Sequence, residues 1–549
     1  MPSFDHKRAY DLSRLAKNHL GRNLSSSEEA LLVESTDSHD FIGPINHART
    51  VTIDANLLRW LASDLNAGAF IDAKGIRLRD TSVRGVLDLN NCRLSTSLIF
   101  RACEFNGEIL LDSTTTKNVE FRECTFQRAV RGGNAAIEGS LYICDSVTFD
   151  EIALERIDIA GELSLAGLVV QNPSASICLD GAKVRGSVLL TNGFRTKGSI
   201  QMHSARMGDL DCSGAIFLDA NAVFSLDGIT VNGDLSLSQG FSCLGEIRLP
   251  GAHILGNLEC ISAELGSLIC HNMVVDADLM WADIGNLSQS KLSLVGVKVK
   301  EFRDQKASWP KPGNLDLEGF VYEQLSMHED SACSPAPKGE LTDRTPFNAK
   351  DRIEWINLQK EERVRESQPW VQLAKVAQAL GDDPGARHIV YRLACRRAEK
   401  SRMPVRLVRK GFAWLREQPF RIAWSIGLIL FLTTALFWWA GSNGAIAPRE
   451  KDSYNAWAKG QPFSVAYPRF NPLIYSLENE LPLVKLGQDD KWTPDPSHHP
   501  VSFGNGSMLR WTWIFDSYGL LAWVRWITIV LGWAQATVLA AALANRFRS

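Results

Sequence analysis

The chain lacks the short motifs by which most redox and metal enzymes announce themselves. It has no CxxC pair, no haem-attachment CxxCH and no GxGxxG following a strand. Its 11 cysteines are scattered from Cys92 to Cys395 without metal-ligand spacing, so they read as reduced thiols packed in a cytoplasmic core. The N-terminus, MPSFDHKRAYDLSRLAK, has no apolar stretch of the kind a secretory signal needs. Charge is nearly balanced, with 59 Lys and Arg against 62 Asp and Glu for a net −3, which gives no reason to expect nucleic acid as a partner. A mean hydropathy of −0.09 excludes a chain made mostly of membrane helices. No cofactor and no metal is predicted.

Two uncharged stretches stand out near the C-terminus. Ile422–Ala440 (IAWSIGLILFLTTALFWWA) and Trp526–Ala544 (WITIVLGWAQATVLAAALA) are each 19 residues. At about 1.5 Å per residue a helix of that length roughly matches the ~30 Å hydrocarbon core of a bilayer. Trp424, Trp438, Trp439, Trp523 and Trp526 sit at their margins, where indoles favour the lipid–water boundary. Arg396, Arg397, Lys400, Arg402, Arg406, Arg409, Lys410, Arg416 and Arg421 precede the first stretch, and Arg546 and Arg548 follow the second. The positive-inside rule then places both termini in the cytoplasm and residues 441–525 outside, anchored by Trp511, Trp513 and Arg525. A bacterial inner membrane is the expected setting, with membrane lipid as a partner of the basic juxtamembrane segment.

The middle of the chain is repetitive. A phrase Gly–polar–aliphatic–any–aliphatic recurs as GVLDL at 85, GEILL at 107, GSLYI at 139, GELSL at 161 and GSVLL at 186. It continues through GSIQM, GDLDC, GDLSL, GEIRL, GNLEC and GSLIC, and ADLMW at 277 is a decayed copy. Steps of about 10–12 or 22–25 residues fit short strands stacked in coils, each turning two aliphatic side chains inward. One step of about 32 suggests an insertion around Asn118–Asn134. Glycine is expected before each strand because the corner needs a backbone freed from Cβ sterics. Cys92/Leu94, Cys103/Phe105 and Cys124/Phe126 place two apolar side chains on one face. The expected fold is mainly β: a right-handed parallel β-solenoid, pentapeptide-repeat-like, over residues 76–299.

Around it, residues 1–75 read as a helical N-terminal cap with a capping box at Ser26–Glu29. Residues 300–420 read as a linker with a looser proline-bearing stretch (Trp309–Pro346), a helical hairpin around Gly381-Asp382-Asp383, and a basic juxtamembrane helix. The hairpin resembles a single tetratricopeptide-type unit, read as a rigid adaptor between solenoid and membrane. Residues 421–549 form the two-span membrane domain. Some parallel β-helices are polysaccharide hydrolases that work with paired carboxylates. Asp88, Asp209, Asp211 and Glu259 lie in or beside strand phrases, but such positions read as solvated outward faces. His498 and His499 are adjacent loop histidines without further ligands.

The segment between the spans holds the one organised pattern outside the repeats, FNPLIYSLENELPLVKLGQDD, with Asn471, Pro472, Tyr475, Glu478, Glu480, Pro482, Lys485 and Gln488 as candidate functional residues. Asn471-Pro472 starts a helix, and Leu473, Ile474, Leu477 and Leu481 form an apolar stripe. The preferred reading is an amphipathic helix on the outer face with Glu478 and Glu480 in water. The alternative is a helix that dips back between the spans, as in tetrameric cation channels, although the TVGYG filter is absent and Lys485 would repel cations.

Several phrases together resemble one bacterial family: IDANLLRWLASD with KGIRLRDTSVRGVLDL, GNLDLEGFVYEQL, RIEWINLQ, SQPWVQLAKVAQALGDDPGARHIV and FNPLIYSLENELPLVKLGQDDKW. Its members are two-span proteins with a pentapeptide-repeat-like solenoid, commonly labelled membrane-associated oxidoreductases. The resemblance covers nearly the whole chain and implies a redox activity. The residues themselves point to a non-enzymatic interaction, scaffold or sensor protein that binds a protein partner or its own copies through the solenoid, with a channel-like oligomer as the alternative.

Overall fold

The computed structural model describes residues 4–36, 51–328, 347–364, 366–399, 401–417, 421–462, 467–481, 485–495 and 517–546. Pro482, His498, His499, Trp511, Trp513, Arg548 and residues 329–346 of the proline-bearing stretch lie outside them. The chain divides into two compact units, Met1–Leu393 and Ala394–Ser549.

The first unit is built on one parallel β-solenoid. A strand of two residues cannot persist alone in water, so each is held by its neighbours above and below. Inward residues repeat in ladders. Leu87 pairs with Ile109, Ile109 with Val130, Val130 with Ile152 and Ile152 with Ile177, and this ladder continues through Ile200, Phe224, Ile247, Leu268 and Leu292 to Leu315. That makes about eleven turns, with steps such as 109 − 87 = 22 and 188 − 163 = 25 residues. These residues are essentially unexposed, and each contributes roughly 1.5–3 kcal/mol by leaving water. Phe100, Phe105, Phe121 and Phe126 stack at centroid distances of 5.2–5.7 Å, with Cys103 and Cys124 buried beside them.

Two expectations about the repeat are corrected. There is no insertion at 118–134: Val119 pairs with Leu141 and Val130 with Ile109 in regular coils that have merely lost their glycine. Apart from Gly85 (φ 93°), the phrase glycines are also not corner residues of special φ. A Cβ on Gly186 would lie 2.7 Å from the carbonyl oxygen of Gly161, so glycine is there because successive coils touch. The left-handed corners fall elsewhere, on residues such as Asn91 (φ 58°) and Asn134 (φ 57°), whose short polar side chains tolerate that region.

The sheet is longer than 76–299. Val51–Asp54 pairs with Thr81–Arg84 inside the region read as all-helical, and Lys298–Gln305 pairs with Val321–His328 inside the stretch read as loose. Helices α1 (Phe4–Leu20), α2 (Ser26–Ser35), α3 (Ala55–Ser63) and α4 (Leu65–Gly68) accompany the first coils. The Asp54 side chain caps α3 by accepting from the Asn56 amide at 2.9 Å, and α3 buries Leu57, Leu58, Trp60 and Leu61. The capping box of α2 is one residue earlier than expected: the Glu28 amide donates to Ser25 Oγ (3.2 Å) and the Ser25 amide to Glu28 Oε2 (2.8 Å).

At the other end, α5 (Ala349–Ile356), α6 (Glu361–Val364), α7 (Ser367–Ala379) and α8 (Asp383–Ala398) close the solenoid. Three glutamines satisfy its last backbone groups. Gln359 accepts from the Leu317 amide; Gln368 accepts from Gly319 and donates to the Phe320 carbonyl; Gln372 donates to the Tyr322 carbonyl. The first helix of the hairpin read as an adaptor is therefore part of this cap, with Trp370, Leu373, Val376 and Ala377 buried.

The second unit contains α9 (Met403–Glu417), α10 (Arg421–Ser442), α11 (Lys451–Ala458), α12 (Pro472–Glu480) and α13 (Ser517–Arg546). A small antiparallel pair joins Ile446–Pro448 to Trp492–Pro494. Two segments are long and apolar enough to cross a membrane, Arg421–Ser442 and Gly519–Thr537. Only 17% of each apolar window is buried, unlike the core helix of a soluble protein. The second begins earlier than Trp526, because α13 starts at Ser517.

Candidate functional site

The candidate residues converge on α12 and the segment returning from it. Asn471 Oδ1 caps the helix by accepting from the amides of Leu473 (3.1 Å) and Ile474 (3.2 Å), and Pro472 fills the first turn, where its missing donor costs nothing. Tyr475 packs its ring edge-on to Phe437 of α10 at 4.9 Å and is fully buried. Gln488, also buried, accepts from the Asn471 amide (3.1 Å) and donates to the Arg469 carbonyl (3.0 Å), tying the returning segment to the helix start.

Of the two glutamates expected in water, Glu480 is buried and Glu478 is only partly exposed. Glu478 is half-buried and its carboxylate gathers four consecutive amides: Leu486 and Gly487 on Oε1, Gln488 and Asp489 (2.7 Å each) on Oε2. Such an array of N–H groups is a nest, and the glutamate supplies the anion that shapes it. Glu480 is 1% exposed, and neither carboxylate oxygen has a hydrogen-bond partner among the described residues. Burial pushes its carboxyl above the ordinary carboxylate range. Lys485 is exposed.

The reason is the helix's polarity. Tyr475, Ser476, Asn479 and Glu480 form the buried face, while Leu473 on the expected apolar stripe is 52% exposed. α12 is thus inverted relative to a helix lying on water. Its C-terminal end meets α13 so closely that a Cβ on Gly532 would fall 1.8 Å from the Glu480 carbonyl oxygen. Arg525 of α13 reaches back to Asn479 Oδ1 (3.3 Å) and to Asp489 (2.5 Å). Gln535, three residues beyond Gly532, donates to Ser425 Oγ of α10 at 3.1 Å and so links the two long helices. Ser476, Asn479 and Gln535 were missed by sequence reasoning. The signal was present as the polar pairs Tyr475-Ser476 and Asn479-Glu480, one helical turn apart on one face.

The solenoid acids are arranged differently. Asp88 pairs with Arg59 at 3.5 Å. Asp209 accepts from the amide of Asp234, Asp234 from that of Asn257, and Asn257 from that of Asp278. This ladder stitches coil to coil, a structural duty. Asp211 accepts from Ser213 N at 2.9 Å, and half-buried Glu259 is pushed up by burial and by neighbouring Asp234 and Asp211. Burial also raises the thiols of Cys178 to about 11 and Cys243 to about 12, which keeps them neutral packing groups. No protein-family model, curated protein or solved structure matches the chain.

Proposed function

We propose that the chain is an integral protein of a bacterial inner membrane that presents its solenoid to the cytoplasm as a non-enzymatic interaction, scaffold or sensor body. The observation that carries this reading is the closed solenoid. Its interior is filled with side chains from coil to coil and helices and glutamines cover its last turns, so what it offers a partner is a long outer surface of parallel rows. Two tests apply. Impermeant thiol labelling of cysteines placed at Lys451 and at Glu318 in intact cells should mark only the first. Crosslinking in native membranes should give a defined product, with a partner or a second copy, that disappears when outward solenoid residues are changed. Labelling at both positions, or no crosslinked product, would refute the reading.

A channel-like oligomer is favoured by a different observation, the inverted α12. If α10 and α13 span, contact with Gly532 places the end of α12 well inside the bilayer, with its apolar side toward lipid. Ion flux through liposomes holding the purified protein tests it, and a monomer without flux sinks it. The redox activity implied by the family resemblance requires a bound flavin or haem. The absorbance spectrum of protein purified from native membranes decides that point.

A further inference from the structure

Between α10, α12 and α13 a buried carboxyl and several neighbouring side-chain oxygens stand without a hydrogen-bond partner among the described residues. Among them are both oxygens of Glu480, Ser476 Oγ and Gln535 Oε1. Glu480 and Ser476 are 1% and 0% exposed. Ser476 lies one helical turn before Glu480 on α12, and Gln535 one turn beyond Gly532, the residue against which the Glu480 carbonyl packs. The donors already engaged are amides and hydroxyls, Gln535 to Ser425, Asn479 to the Tyr475 carbonyl, and Thr433 and Thr528 within their own helices; those left, the hydroxyls of Ser476, Tyr475 and Thr434, are neutral and cannot balance a carboxylate charge. The nine-residue α12 also ends here, so the negative end of its dipole points at the same place.

We infer that Glu480, with Ser476, Gln535 and the C-terminal end of α12, forms a binding site for a monovalent alkali cation, sodium or potassium. An ionisable side chain set inside a bundle of apolar helices is costly unless something pairs with it. A single proton would serve at most two of these oxygens, whereas a dehydrated alkali cation takes several oxygen ligands of low charge at once. A divalent ion is disfavoured because sites for calcium or magnesium recruit more carboxylates than the one present. Lys485 is exposed on the returning segment and does not fill the role of a buried counter-ion. Binding needs no pore, so this site stands apart from the channel reading.

The test is thermal unfolding of the full-length protein in detergent or nanodiscs, in sodium, potassium or choline chloride at equal ionic strength, with radioactive sodium or rubidium binding beside it. The expected result is a saturable rise in melting temperature of a few degrees with sodium or potassium over choline. Glu480→Gln should abolish it, and Ser476→Ala, which changes little volume, should weaken binding about tenfold. Equal melting in the three salts, no saturable binding, or a response that survives Glu480→Gln would overturn the inference. So would stabilisation that follows protein concentration and not salt, since a second copy would then supply the counter-charge.

Discussion

Breaking the buried ion pair at the C-terminal end of the solenoid should unfasten its last coils selectively. Arg352 of α5 is 1% exposed; its Nη1 donates to Asp304 Oδ2 at 2.7 Å and its Nη2 to the Ser326 carbonyl at 2.9 Å. Asp304 is fully buried and also accepts from Trp309 Nε1 at 2.8 Å. Arg352→Met leaves that carboxylate in the interior with the Trp309 donor alone. Removing one partner of such a pair costs about 3–5 kcal/mol, because an uncompensated charge stays behind. Solenoids unfold locally from their ends, so the loss should appear as faster amide exchange in 298–328 and not as uniform softening. At about 1.4 kcal/mol per decade the acceleration is roughly 10²–10⁴-fold. The double variant Asp304→Leu/Arg352→Met removes both charges and should return to within about tenfold of the parent, since apolar replacement of a buried pair is often neutral. Hydrogen–deuterium exchange with mass spectrometry on the full chain reads both. Unchanged exchange in the single variant, or a double variant as fast as the single, would refute the reasoning.

Gly186→Ala sets a Cβ 2.7 Å from the Gly161 carbonyl oxygen and should cost about 1–3 kcal/mol, read as a lower melting temperature. The Arg22 guanidinium holds the Glu28 carboxyl at about 2, below its ordinary 4.5, so its stabilisation of the N-terminal helices is fully present above about 4.5 and is lost as pH falls through about 2. Proteolysis of residues 4–36 by pepsin should therefore rise over that interval in the parent and be high throughout in Glu28→Gln; identical profiles would contradict the assignment. Glu478→Ala releases the amides of residues 486–489, and trypsin should cut after Lys485 at least about tenfold faster, a loss of about 1.4 kcal/mol or more.

The solenoid was legible because a coil that stacks on itself must repeat its inward residues, so Leu163, Val188, Leu210 and Leu235 stand in the sequence as they stand in space. Coils without the glycine phrase, such as Val51–Asp54 and Val321–His328, escaped because a ladder needs only alternating burial, and four to eight residues of that are weak signals. The capping glutamines were invisible for another reason. Gln359, Gln368 and Gln372 answer backbone groups of residues about fifty positions away, and no local period records that. The capping box slipped by one because Ser25–Glu28 and Ser26–Glu29 both fit the pattern, and only the contact of buried Glu28 with the exposed Arg22 separates them.

At α12 the sequence fixes that the helix has two unlike faces but not which one meets the protein. In water the apolar stripe with Leu473 would turn inward and Glu480 outward; the structure has the reverse. Around it Phe431, Trp438, Trp523 and Val530 are likewise more than half exposed, while Thr433, Thr528 and Glu480 are buried. An aqueous protein arranged this way would lose on both counts, with apolar surface hydrated and a carboxyl stripped of water. Lipid reverses the first cost and leaves the second to be met by a counter-ion. Membrane insertion of α10 and α13 and the buried site at Glu480 are therefore one claim about polarity. If thiols placed at Phe431 and Val530 react freely with a water-soluble reagent in intact membranes, both fall together.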